Sequence, residues 1–137
     1  MNHWLVKSEP GAWSWLDHVK AKTTSWDGVR NHQAANHMKA MKIGDRVFMY
    51  HSVNEKQIVG VLEVVKMYHP DPSDETGRFG MVDLKAVSPL QTPVTLKQIK
   101  EEPKLEHLAL VRQSRLSVMP IDSASWQILC KMGQIQP

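Results

Sequence analysis

The sequence predicts a mixed α/β (α+β) domain, a curved β-sheet or barrel of about five to six strands with helices packed around it. Three observations lead there. Short apolar runs rich in β-branched residues recur between Trp4 and Val118, as strands of a buried sheet require. Helix-start signals occur both early and late in the chain, so helices are inserted between strands rather than gathered at one end. No repeat, low-complexity tract or linker divides the 137 residues, which are read as one domain spanning 1–137.

Each element has a local cause. Trp4-Leu5-Val6-Lys7 reads as a short buried strand that stops at Pro10-Gly11. Ser14-Trp15-Leu16-Asp17 has the form of a capping box, with Trp15, Leu16 and Val19 as the expected apolar face of a short helix. Asn31 is placed to cap a second helix carrying Ala34, Met38 and Met41 on one side. Gly44-Asp45 punctuates the start of a strand over Arg46–His51. Gln57–Met67 is a second, strongly β-branched strand. Trp4-Leu5-Val6 and Ile58–Val65 are apolar enough to be buried on both faces, so they are expected to pair within one sheet, with Trp26 near their shared end. Two prolines and two glycines make His69–Gly80 a loop, and alternation marks Met81–Val87 as a strand. Thr95-Leu96-Lys97-Gln98 opens a short helix that ends by Pro103. Leu116 and Val118 flank Ser117 on a late strand, and Ser123–Met132 forms a closing helix stopped by Gly133.

Composition narrows the function classes. Hydrophobic residues at 42% and charged residues at 23% are ordinary for a globular domain of this length. No apolar run is long enough to span a bilayer, and MNHWLVKSEP lacks a signal-peptide core, so no membrane role and a cytoplasmic location are expected. Seventeen basic residues against fourteen acidic ones permit contact with nucleic acid without requiring it. The single cysteine, Cys130, excludes an internal disulfide framework, and its neighbours Trp126, Ile128 and Leu129 mark it as a core thiol. GxGxxG, GxxxxGK[ST], GxSxG and HExxH motifs are all absent. His32 and His37 stand about 140° apart around a helix, poor spacing for a shared metal. Asp71, Ser73 and Glu75 lack the glycine and the terminal glutamate of a calcium loop and read as a solvated turn. No catalytic residue, metal or cofactor is therefore assigned, and a monomer is expected.

Five motifs in register carry a resemblance. WLVKSEP from Trp4, WDGVRNHQA from Trp26, MKIGD from Met41, FMYHS from Phe48 and RLSV from Arg115 are together similar to the EVE domain, from Trp4 to about Gly133. That family belongs to the PUA-like superfamily and resembles the YTH domains that read methylated adenine in RNA. The resemblance implies a PUA-like fold and a non-enzymatic pocket for one modified nucleobase.

The resemblance assigns the floor and rim of that pocket to Ser8, Glu9, Trp26, Asp27, Val29, Arg30 and Asn31, with Tyr50, His51 and Ser52 closing another side. Trp26 offers a stacking face, with a second reading as an ordinary core residue like most of the chain's five tryptophans, and Gly28 beside it supplies the turn. Glu9 and Asp27 can accept from an exocyclic amine, while Ser8 and Asn31 donate and accept. Arg30 and Arg115 are candidate phosphate or carbonyl partners. Arg30 has a second, structural reading in which it pairs with Glu9 or Asp27, and His51 one in which it is a buried, backbone-bonded histidine. Relatives often carry a tryptophan shortly before the Val82-Asp83 strand, a place where Phe79 is available here as a smaller wall. They also commonly carry a basic residue where this chain has Ala35, which removes one candidate phosphate partner.

The expected partner is a modified, methylated base of single-stranded or flipped-out DNA or RNA. A sensor of a free nucleobase, nucleotide or small heterocycle is the first alternative. An enzyme acting on a modified base through Glu9, Asp27 or His51 is the second.

Overall fold

The computed structural model describes residues 1–137. Its elements in chain order are β1 (His3–Ser8), α1 (Trp15–Ala21), β2 (Thr23–Ser25), α2 (His32–Ala40), β3 (Arg46–His51), β4 (Gln57–Pro70) and β5 (Gly80–Thr95). Then follow α3 (Leu96–Lys100), a 3-10 turn (Pro103–Leu105), α4 (Ala109–Arg112), β6 (Val118–Ile121) and α5 (Ser123–Met132). The six strands form one sheet in the order β2-β5-β4-β3-β1-β6, in which only β1 and β3 run parallel. A parallel pair needs a long crossover, and α1, β2 and α2 supply it.

The sheet is curved but does not close. In a flat sheet of this order β5 and β6 would lie about 19 Å apart, beyond the reach of one helix of about 10–12 Å diameter. Yet α2 packs against β4, β5 and β6 together, so the sheet wraps around that helix. Four register shifts along β4–β5 allow the bend. Leu5, Phe48, Met49, Leu62, Leu84 and Met119 are fully buried in the resulting core.

The helix caps form as their sequences predict. Ser14 and Asp17 make a reciprocal capping box on α1, as do Thr95 and Gln98 on α3. The Asn31 side chain accepts from the Ala34 amide at the start of α2. Gly133 ends α5.

Other expectations are corrected. Leu16 and Val19 are exposed, and the buried face of α1 is Trp15 with His18 instead. β1 and β4 share the sheet but do not pair, because β3 lies between them. Val59 and Val65 are only half-buried, so β4 alternates where continuous burial was expected. β5 runs on to Thr95 through Pro89, which stands opposite Gly60 at the edge of a bulge, and Pro93, which lies within the bulge before the Ile58–Val94 pair. Leu116 lies just ahead of β6 rather than on it. Position 35 is buried in α2, so Ala35 offers no outward contact. The 71–79 loop is organised around Asp71, which is buried rather than solvated.

Candidate functional site

β1 ends at Ser8, and the chain turns back at once. The amides of Ala12 and Trp13 both donate to the Glu9 carbonyl at 2.9 Å, and the Ser8 hydroxyl donates to the Trp13 carbonyl. This turn carries Trp13 over the end of β1. From the other side, the Trp26 amide donates to the Val82 carbonyl at 2.7 Å, extending the β2–β5 pairing by one residue. Between the two turns lies a cleft of about 510 Å³, lined by Lys7, Ser8, Glu9, Ala12 and Trp13 on one side and by Thr24–Asp27 on the other. Its size is ordinary for a small-ligand site.

Two tryptophans and one histidine set its aromatic geometry. The Trp13 indole N–H donates to Nδ1 of His18 at 3.0 Å, and Nε2 of His18 lies 2.7 Å from the Leu84 carbonyl. An indole can only donate and a carbonyl only accept, so His18 is neutral with its proton on Nε2. Burial favours the same form by lowering the pKa of His18, against the opposing pull of the Leu84 carbonyl. The His18 ring meets Trp13 edge-on at 5.8 Å and Trp26 at 6.0 Å. One buried histidine thus braces both tryptophans.

The cleft's polar groups divide by availability. Ser8 is committed to Trp13, and the Ser25 hydroxyl donates to Asp83 at 2.6 Å. The Thr24 hydroxyl and the carboxylates of Glu9 and Asp27 have no side-chain partner within the protein. Lys7 is half-buried, which lowers its pKa, and its ammonium donates to the Ser114 carbonyl at 2.8 Å.

Of the residues singled out in the sequence, Ser8, Glu9, Trp26 and Asp27 come together here, Trp26 also as a buried member of the core, and the others lie elsewhere. Gly28, at φ +79°, turns the chain away, and its amide donates to Asp71 at 2.9 Å. Arg30 pairs with Asp71 at 3.1 Å and donates to the Ser73 hydroxyl, so it meets neither Glu9 nor Asp27. Burial alone would push the Asp71 carboxyl up. Hydrogen bonds from Ser73, Gly28 and Arg30 outweigh it and hold the group far below the usual carboxylate range. Val29 is core, and Asn31 caps α2. Tyr50 and His51 are buried on β3. His51 accepts from the Trp15 amide at 3.0 Å through Nε2 and faces Glu55 through Nδ1, while the Ser52 amide donates to the Ser8 carbonyl. This trio flanks the end of β1 in the sheet instead of lining the cleft. Phe79 packs against His32 and beneath Arg30, away from the two tryptophans. Arg115 lies in a separate depression.

Sequence reasoning missed Trp13, His18 and Thr24. The only available signal was Trp13 itself, one residue ahead of the Ser14 cap and five before His18. No group of three or more His, Cys, Asp or Glu side chains gathers as a metal would require, and burial pushes the Cys130 thiol up to about 11.

Comparison with known families matches residues 2–132 to the EVE domain. The chain belongs to the EVE domain family. This EVE domain is similar to human thymocyte nuclear protein 1, with 30% identity over 171 aligned residues covering 99% of this chain and 76% of the relative. Among solved structures it resembles a Rhodopseudomonas palustris protein determined by NMR, with 51% identity and a TM-score of 0.92 over 98% of this chain and 94% of the other. It also resembles human thymocyte nuclear protein 1 in complex with DNA containing 5-methylcytosine, with 31% identity and a TM-score of 0.89 over 100% of both chains. No helix of this EVE domain is long and apolar enough to cross a membrane.

Proposed function

We propose that this EVE domain is a non-enzymatic reader that captures one modified base of DNA, 5-methylcytosine foremost, in the cleft between Trp13 and Trp26. The observation that carries the reading is the pairing of two tryptophans, braced by one histidine, with two unengaged carboxylates at the same cleft. Indole faces stack on any base. Glu9 or Asp27 accepts from the exocyclic amine of cytosine, as carboxylates do when they read that base. The likeness to thymocyte nuclear protein 1 bound to DNA containing 5-methylcytosine favours this class of ligand over a free heterocycle. A base within a duplex cannot enter such a cleft, so the strand is single or the base is flipped out. His51 is buried with both ring nitrogens engaged, which leaves the alternative enzymatic reading without its histidine.

Burying one methyl group gives about 0.8 kcal/mol, or roughly a fourfold preference for the modified base. Calorimetry with short single strands carrying one 5-methylcytosine, against unmodified strands and free 5-methylcytidine, tests the reading. Tighter binding of the modified strand is the expected result. Equal affinity for both strands, or conversion of the base to a product, would reject it.

A further inference from the structure

A second depression of about 340 Å³ lies where the segment after α4 passes the start of α2. Arg112, Gln113, Ser114 and Arg115 line it from one side, and Asn31 and Gln33 from the other, with no acidic side chain among them. The arginine–carboxylate pairs of this protein are Arg30–Asp71 and Arg46–Glu63, so Arg112 and Arg115 are both exposed and uncompensated. Arg112 is held in place by Nε donating to the Glu106 carbonyl at 2.8 Å, which leaves its terminal amino groups for an outside acceptor. Asn31 turns its carbonyl oxygen to the Ala34 amide, so its NH₂ group is directed away from that bond.

Lys7 joins this depression to the two-tryptophan cleft. It lines the cleft, and its ammonium donates to the carbonyl of Ser114 in the wall of the depression. Charge is therefore sorted along the surface. Carboxylates stand where a base edge would lie, and guanidinium groups stand in the neighbouring hollow. Two forked guanidinium donors without a carboxylate suit a phosphate better than any neutral group. Arg30, the other guanidinium of this region singled out in the sequence, is already neutralised by Asp71.

We propose that this depression binds the backbone phosphate of the nucleotide adjoining the captured base, so that Arg112 and Arg115 set how the strand enters the cleft. The assignment rests on base capture at the Trp13–Trp26 cleft. Its test is the double variant Arg112→Ala/Arg115→Ala, titrated over a range of salt with a single strand carrying one 5-methylcytosine and, separately, with 5-methylcytidine, which has no phosphate. Strand affinity should fall about tenfold or more at low salt. The salt slope should shrink by about 0.7 for each phosphate that the variant no longer neutralises, and nucleoside affinity should not change. An unchanged strand affinity and slope would overturn the assignment, as would an equal loss for the nucleoside. Displacement of the strand by micromolar inorganic phosphate at constant ionic strength would make the depression a free-anion site and overturn it too. Modified and unmodified strands binding alike, both weakened by the double variant, would sink base reading and leave the phosphate site standing.

Discussion

The indole N–H of Trp13 donates to Nδ1 of His18 at 3.0 Å, and the far side of the same imidazole is tied to the Leu84 carbonyl on β5. Trp13 belongs to the turn after β1, and Leu84 to a strand three places away in the sheet. His18 ties the Trp13 wall of the cleft to the sheet, and it does so only as a neutral ring.

That dependence predicts a pH response. The folded state lowers the pKa of His18 below its ordinary value of about 6.5. Above about 6.5 the contribution to stability is therefore fully present. It is lost as pH falls through the window down to the folded-state value, where the unfolded chain binds the proton first. Protonation also removes the acceptor that Trp13 needs. Melting temperature and base affinity should decline together between about pH 7 and 5. Burial also lowers the pKa of His3 and His37, so they add to the stability slope. His18→Gln keeps an acceptor and a donor without titrating, so it should flatten the affinity profile. An affinity profile identical to that of the parent would remove His18 from this role.

The tryptophans should separate by function. Trp13→Ala and Trp26→Ala are each expected to weaken binding of a methylated strand by ~1–3 kcal/mol. Trp126 is buried on α5, stacked on Phe48 at 3.9 Å and on His3 at 4.4 Å, far from any role in the cleft. Trp126→Ala should cost ~3–5 kcal/mol of stability and leave the affinity of the folded fraction unchanged. Calorimetry beside urea melts distinguishes the two patterns. Trp26 is itself buried in the core, so Trp26→Ala should lower the melting temperature as well, and a variant that binds like the parent would leave Trp26 with packing alone.

Asp71 should matter to stability from outside the cleft. Asp71→Ala leaves the Gly28 amide and Arg30 without their shared acceptor, at a cost of about 1–3 kcal/mol. Because the folded-state pKa of Asp71 is depressed, its stabilisation is full above about pH 4 and is lost as pH falls further. Urea melts of parent and variant should therefore differ at pH 7 and converge toward pH 3. A constant gap would place the effect in packing alone.

Gly60 has no room for a side chain. A Cβ there would press into the indole of Trp15, whose amide holds His51. Gly60→Ala should destabilise by about 1–3 kcal/mol through overpacking. Gly11, with open space around the same position, is the control and should shift stability by less than about 0.5 kcal/mol on conversion to alanine. Equal melting temperatures for the two variants would show that Trp15 gives way freely.

Much of the architecture was legible because its causes are local. The Ser14 and Thr95 capping boxes, the Asn31 cap and the Gly133 stop each depend on residues within about four positions, and all are read directly from the chain. The β-branched runs likewise announced strands, and the motif series announced the EVE fold. What the chain could not display were partners brought together over long separations. Leu84 comes to His18 from 66 residues away, and Asp71 comes to Arg30 from 41. Those meetings decided that His18 is a brace, that Arg30 holds a turn, and that Arg112 and Arg115 remain the open cations of their surface. Phe79 was drawn from the cleft because its amide is fixed by Asp74 within the 71–79 loop. A side chain's type limits what bonds it can make, but only the sheet order and the paths of the turns determine which groups stand close enough to make them.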